Sequence, residues 1–203
     1  IGSTKIAVGL VTMQGELIDR DQFVVDHGLK SEQLWGVLRE HVEAQMARAR
    51  DHHNMRTVAV GVGSAGPITP NCETISPLNT QAWRDFPLRE RLTSVARLPV
   101  YGDLDAKALA LAEGWIGAAQ GHDNFIAMVV STGVGGGVVL NGQLLDGAQG
   151  NAGHIGHVIV EPNGRRCGCG ARGCLEAEAS GTAIANITGR PASEPTYEIM
   201  QRT

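Results

Sequence analysis

Short β-branched runs alternate along this chain with stretches whose apolar residues recur every three or four positions. Ile6 to Val11 and Glu16 to Val25 flank a turn at Met13-Gln14-Gly15 and predict a strand hairpin. Leu34, Val37, Leu38, Val42 and Met46 share one face of a helix for which Ser31 is the expected N-cap. Thr57 to Val62 is a short apolar run of the kind buried on both faces. Gly63 to Pro77 reads as loop with a short hairpin, Pro87 to Ala96 as a helix and Leu98 to Gly102 as a strand. A helix rich in Ala and Leu is expected from Asp105 to Ala119. Two strands follow, Phe125 to Ser131 and Gly136 to Leu140, on either side of a glycine turn. Asn141-Gly142 is a hairpin signal, and a last helix is expected over Leu175 to Ile187. Strands and helices alternate, so the fold class is α/β.

Composition narrows the class. The 203 residues carry 17 Lys and Arg against 21 Asp and Glu, a formal charge of −4, and 42% are hydrophobic. That mild acidity argues against a dedicated nucleic-acid surface. No run approaches the roughly 18 apolar residues of a membrane span, and no leader pattern opens the chain; a cytoplasmic location and no membrane partner are expected. The opening at Ile1, already inside a motif, and a close at Glu198 to Thr203 that reads as the start of a helix lead us to expect a fragment. Glycine is the outlier, with 27 residues, thirteen of them between Gly133 and Gly173.

Two glycine-containing segments, Gly2-Ser3-Thr4-Lys5 and Ser131 to Gly137, put small residues and hydroxyls where strands turn. Such turns let backbone N–H groups approach a phosphate, although neither has the Gly-Lys-Ser/Thr ending of a P-loop, and a plain β-turn is the competing reading of the second. In Gly102-Asp103-Leu104-Asp105 a strand gives way to a helix at two carboxylates. Either can cap the helix, and one can accept a proton from an attacking hydroxyl.

His157, Cys167, Cys169 and Cys174 lie within eighteen residues of a polar, glycine-rich loop. Cys₃His is a structural zinc set, and the surrounding Arg165, Arg166 and Arg172 disfavour three packed thiols. Cys72 reads as an ordinary thiol, and His154 is not needed to complete four ligands.

At these residues the sequence resembles the ROK family of bacterial sugar kinases and repressors. The resemblance is carried by Gly2 to Lys5, Gly63-Ser64-Ala65-Gly66-Pro67, Asn79, Gly102 to Ala106 and Ser131 to Gly137, then by Gly150 to His157 and Cys167 to Glu176. It implies a two-lobed, actin-like ATPase (ribonuclease H-like) fold with a zinc-binding loop. Residues 1–103 would form the amino-terminal lobe and 104–203 begin the carboxyl-terminal one. It implies ATP, Mg²⁺ and structural Zn²⁺ as cofactors, a hexose or N-acetylhexosamine whose 6-hydroxyl takes the γ-phosphate, and a homodimer. Asp105 matches the family's base. Gly66, Asn79, Asp105, His154, His157 and Glu176 match the sugar side. Gly2, Ser3, Thr4, Lys5, Ser131, Thr132, Gly133 and Gly135 match the phosphate turns. Three positions depart from the pattern: Ser3 replaces a glycine, Leu104 an asparagine and His154 a glutamate. A ROK transcriptional regulator, with a DNA-binding segment ahead of Ile1, is the alternative function. A zinc-stabilised binding domain without activity is the third.

Overall fold

A computed structural model describes residues 1–2, 4–78, 80–148, 150 and 152–194, and its backbone falls into two units, Ile1–Ala108 and Leu109–Thr203. The expectations for Ser3, Asn79 and Asn151, and the helix expected to open near Glu198, lie outside the described residues.

In the first unit β1 (Lys5–Val11) pairs antiparallel with β2 (Leu17–Val24), from Lys5 opposite Val24 to Val11 opposite Leu17. Helix α1 (Ser31–Asp51) buries Leu34, Trp35, Leu38 and Val42, the face that the apolar spacing predicts. Its cap differs from expectation: Lys30 is the N-cap and Ser31 the first helical residue, because the Gln33 side chain reaches back to accept from the Lys30 amide at 3.0 Å. Strands β3 (Val60–Ser64) and β4 (Val100–Leu104) pair in parallel, Val60 opposite Val100. Both are displaced from the predicted runs. Pro99 has no N–H to give, so β4 starts after it, and its carbonyl takes the Val60 amide at 2.9 Å, which sets where β3 begins. Thr57, Val58 and Ala59 instead line a cavity of about 510 Å³ shared with β1 and α1. The side-chain amide of buried Gln45 faces that cavity's lining with no hydrogen-bond partner among the described residues. Helix α2 (Leu88–Ala96) follows the loop Ala65–Pro87, and Trp83 stacks on Phe86 at 4.7 Å in the core. Helix α3 (Asp105–Ile116) starts directly at the end of β4; it stops three residues short of expectation, where the Gly117 amide closes on Glu113 O and the Glu113 carboxylate takes the Ala118 amide.

In the second unit β5 (Phe125–Val130), β6 (Val134–Leu140) and β7 (Gln143–Leu144) form an antiparallel meander. Asn141 and Gly142 both have positive φ, 52° and 74°, the type I′ pattern that the dipeptide predicts. The β5–β6 turn is tighter than expected: it spans Ser131 to Gly133, and Gly135 is a strand residue opposite Val129. The predicted last helix is two, α4 (Leu175–Ala179) and α5 (Gly181–Thr188). Ser180 breaks them by taking an extended backbone and capping α5, its side chain accepting from the Ala183 amide.

Candidate functional site

In the first unit the candidate residues gather at the carboxyl ends of β3 and β4, the end at which parallel sheets of α/β proteins bind ligands. Asp105 is exposed at the first position of α3, with Oδ1 accepting its neighbour's amide, Ala106 N, at 2.8 Å. Gly63 lies flush against it: a Cβ built there would sit 3.4 Å from Asp105 Cα. Gly66 is covered by Leu104, whose Cδ2 would be 2.9 Å from a Cβ at that glycine. The residue at the position of the expected asparagine thus sets an apolar side chain over Gly66. The amino-terminal turn joins the same end. Ile1 N donates to Gly63 O at 2.6 Å and Ala65 N donates to Ile1 O at 2.9 Å, the bonding pattern of a parallel bridge around Ser64. The Gly2 amide is directed at Lys5 O (3.1 Å), and Thr4 and Lys5 are exposed.

Cys72 is fully buried beneath Gly102, and burial pushes its thiol up to about 11, as suits an inert packed cysteine.

In the second unit Ser131 N closes the turn on Gly133 O at 2.9 Å, while the amides of Thr132 and Gly133 make no hydrogen bond among the described residues. Gly181 N and the Thr182 hydroxyl brace the turn through the Ser131 and Thr132 carbonyls. Glu176 reaches the same place: Oε2 accepts from Val134 N at 2.9 Å. The structure therefore joins a sugar-side candidate to the candidate phosphate turn.

His157 ends a 3₁₀ turn, Ile155–His157, that packs onto β6. Glycine is required at this contact, since a Cβ at Gly156 would overlap the Val134 carbonyl and one at Gly136 the Ile155 side chain. From there, pairing of Ile159 with Cys174 and of Arg166 with Arg172 folds two short segments face to face. Their sulfur and nitrogen atoms converge. One ligand atom from each of His157, Cys167, Cys169 and Cys174 lies within 4.8 Å of all the others. Cys169 Sγ is 3.7 Å from Cys174 Sγ, and Cys167 Sγ is 3.6 Å from His157 Nδ1. A tetrahedron with zinc–sulfur bonds of about 2.3 Å has edges of about 3.8 Å, so the set fits that ion. Burial pushes the Cys174 thiol up to about 12, whereas the Ala171 amide and the neighbouring thiols hold exposed Cys169 below its ordinary value. His154 stacks beside His157 at 6.2 Å, outside the four-ligand group.

Two residues that sequence reasoning missed organise the first unit's loops. Arg84 donates to the carbonyls of Pro77, Leu78, Thr80 and Trp83 at 2.7–3.1 Å, and nothing in the sequence marks it. Lys107 is 1% exposed, with Nζ 3.5 Å from Asp103 Oδ1; the four-residue spacing to an acid just ahead of the helix was the available signal.

The ROK family model matches residues 1–202. The chain belongs to the ROK family. It is 36% identical over 197 residues to a glucokinase of Halalkalibacterium halodurans, covering 96% of this chain and 59% of that protein. It is 42% identical over 185 residues to an N-acetylmannosamine kinase of Yersinia pestis, covering 91% and 60%. A solved ROK hexokinase of Thermus thermophilus superposes with a TM-score of 0.81 at 36% identity, over 100% of this chain and 67% of that one. The ROK chain described here thus has the actin-like ATPase fold of the sugar kinases, and spans about three fifths of the length of those two curated relatives.

Proposed function

We propose that the protein carrying this ROK chain transfers the γ-phosphate of ATP to a hydroxyl, the 6-hydroxyl, of a hexose or N-acetylhexosamine. The observation that carries the reading is Asp105, exposed at the β4–α3 junction beside the Gly63 to Gly66 loop. Its carboxylate accepts the proton of the attacking hydroxyl, the role phosphoryl transfer demands of such a group. Gly66, Asn79, His154, His157 and Glu176 contribute to the sugar side. Gly2, Ser3, Thr4, Lys5, Ser131, Thr132, Gly133 and Gly135 belong to the phosphate side, where the open amides of Thr132 and Gly133 suit oxygen ligands. Mg²⁺ accompanies ATP and offsets the charge of its phosphates.

His157, Cys167, Cys169 and Cys174 hold a structural zinc, a reading supported by the tetrahedral spacing of their ligand atoms. With Nδ1 turned to the thiols, His157 keeps Nε2 as a donor for a sugar hydroxyl. Residues 1–103 form the amino-terminal lobe and 104–203 open the carboxyl-terminal one. The protein acts in the cytoplasm as a homodimer. A ROK regulator is the second reading, and a retained Asp105 speaks against it because a sensor needs no base.

Asp105→Asn tests the assignment in the complete protein. The near-isosteric amide keeps fold and sugar affinity, while turnover falls by about 10²–10⁴, the usual worth of a positioned base. Wild-type turnover in that variant would remove Asp105 from the chemistry. A wild-type protein that phosphorylates no hexose or N-acetylhexosamine would transfer the case to the regulator.

A further inference from the structure

Lys107 is a lysine where an alanine would be ordinary. It lies in the first turns of α3 between Ala106 and Ala110, both buried, and is itself 1% exposed. Burying an ammonium is costly, and a buried pair often contributes less stability than an apolar residue of the same volume. The Asp103 carboxylate oxygen nearest to it, Oδ1, is 3.5 Å away. That separation is longer than the roughly 2.7–2.9 Å of a strong charge-assisted hydrogen bond, so the pair is a weak source of fold stability.

What the pair encloses is informative. The same Asp103 Oδ1 accepts the Leu104 amide at 2.8 Å. Lys107, Asp103 and the Leu104 amide therefore close a ring across the point where β4 becomes α3, with no loop residue between the two elements. Asp105 sits at the middle of that ring, two residues from each charged end, and among the described residues its carboxylate is anchored to the Ala106 amide alone. Other supports hold the strand side: Asn71 Oδ1 accepts from Gly102 N at 2.8 Å, and Cys72 Sγ donates to Asp103 O at 3.8 Å. Only the Lys107–Asp103 pair reaches across from strand to helix among these contacts.

We propose that Lys107 is a positioning residue, which pins the β4–α3 junction through Asp103 so that the Asp105 carboxylate meets the acceptor hydroxyl in a fixed place. The inference rests on the reading of Asp105 as base. Its physical content is that a displacement of about 1 Å in a reacting group can cost on the order of a hundredfold in rate.

The test is Lys107→Met in the complete protein, which keeps the stem and removes the charge. Turnover is expected to fall 10–100-fold with the sugar KM within about threefold and the thermal midpoint unchanged or higher. Amide exchange at Leu104 and Ala106 should accelerate at least tenfold while α1 keeps its protection. Lys107→Arg should recover a large part of the turnover. Unchanged turnover, or unchanged exchange at both amides, overturns the proposal. So does a Lys107→Met protein that fails to fold, since the lysine would then hold the fold itself; Asp103→Asn combined with Lys107→Met checks this, and should behave as the single variant does. If the wild type transfers no phosphate, the reading of Asp105 falls, and the exchange data alone decide whether Lys107 pins the junction.

Discussion

Trp35, Trp83, Phe86, Leu34 and Leu88 are buried in the first unit, whereas the buried apolar side chains of the second, among the described residues, are Ala110, Ala127, Val134, Val139, Cys167, Cys174 and Ala183. None of the latter is larger than valine or cysteine. Trp115, Ile116, Ile126 and Met128 of the second unit are instead exposed. The two units hold their chemistry by different means. In the first, a large side-chain core fixes a sheet, and Asp105 inherits its place from strand and helix. In the second, backbone contacts at glycine bring ligand atoms together, and under the proposed zinc reading a metal would supply the cohesion that small side chains cannot. Burying a large apolar side chain contributes about 1.5–3 kcal/mol, so replacing such residues by alanine and glycine leaves little to oppose chain entropy.

Metal removal should split the units most sharply. Exhaustive chelation, or Cys174→Ser, should abolish protection against amide exchange from β5 to α5 and leave α1 and the β1–β2 hairpin protected. Structural zinc contributes an apparent 10–16 kcal/mol or so in small domains, far more than this unit's side chains provide. Metal-free protein in which both units stay protected would erase the contrast.

The reverse experiment is Trp83→Ala. Removing a fully buried, stacked indole should cost the first unit about 3–5 kcal/mol in denaturant unfolding, without changing exchange in the second unit. A loss shared equally by both would mean that they unfold as one.

The smallest effect concerns acid. The His41 ring, 2.8 Å away, holds the Asp21 carboxyl below its ordinary value, with Arg48 at 3.7 Å helping. Its folded-state pKa is depressed, so its contribution is complete above the unfolded value of about 3.9 and vanishes as pH falls through the folded one. Asp21→Asn should therefore lower first-unit stability slightly near pH 6, and the difference from wild type should close by about pH 2. A difference that persists at pH 2 would assign the effect to packing.

How much of this was legible depended on whether the information was local. Both hairpins were readable, since Met13-Gln14-Gly15 and Asn141-Gly142 carry their turn chemistry in the residues themselves. The buried face of α1 followed from spacing, and the convergence of His157 with three cysteines followed from residue type. What escaped was set by partners distant in sequence. The start of β3 is fixed by Pro99, some forty residues on, and the break at Ser180 by a competition between helix continuation and capping that spacing does not resolve. The burial of Lys107 could not be read either, because a sequence does not say which face of an alanine-rich helix is covered. Likewise no local pattern foretells that Leu104 lies over Gly66.

The seat of the 3₁₀ turn on β6 carries a consequence for how such a chain can drift. Every single-nucleotide change of a glycine codon that alters the amino acid and keeps the chain intact introduces a side chain, and at Gly156 even a methyl group meets the Val134 carbonyl. Gly136 is closed in the same way by Ile155 and by the Ala127 carbonyl. A lineage can therefore exchange exposed His154 or half-buried Leu104 in one step, but it has no neighbouring sequence in which this seat is loosened a little. The constancy of His157's position would thus be inherited through two residues that have no chemistry of their own.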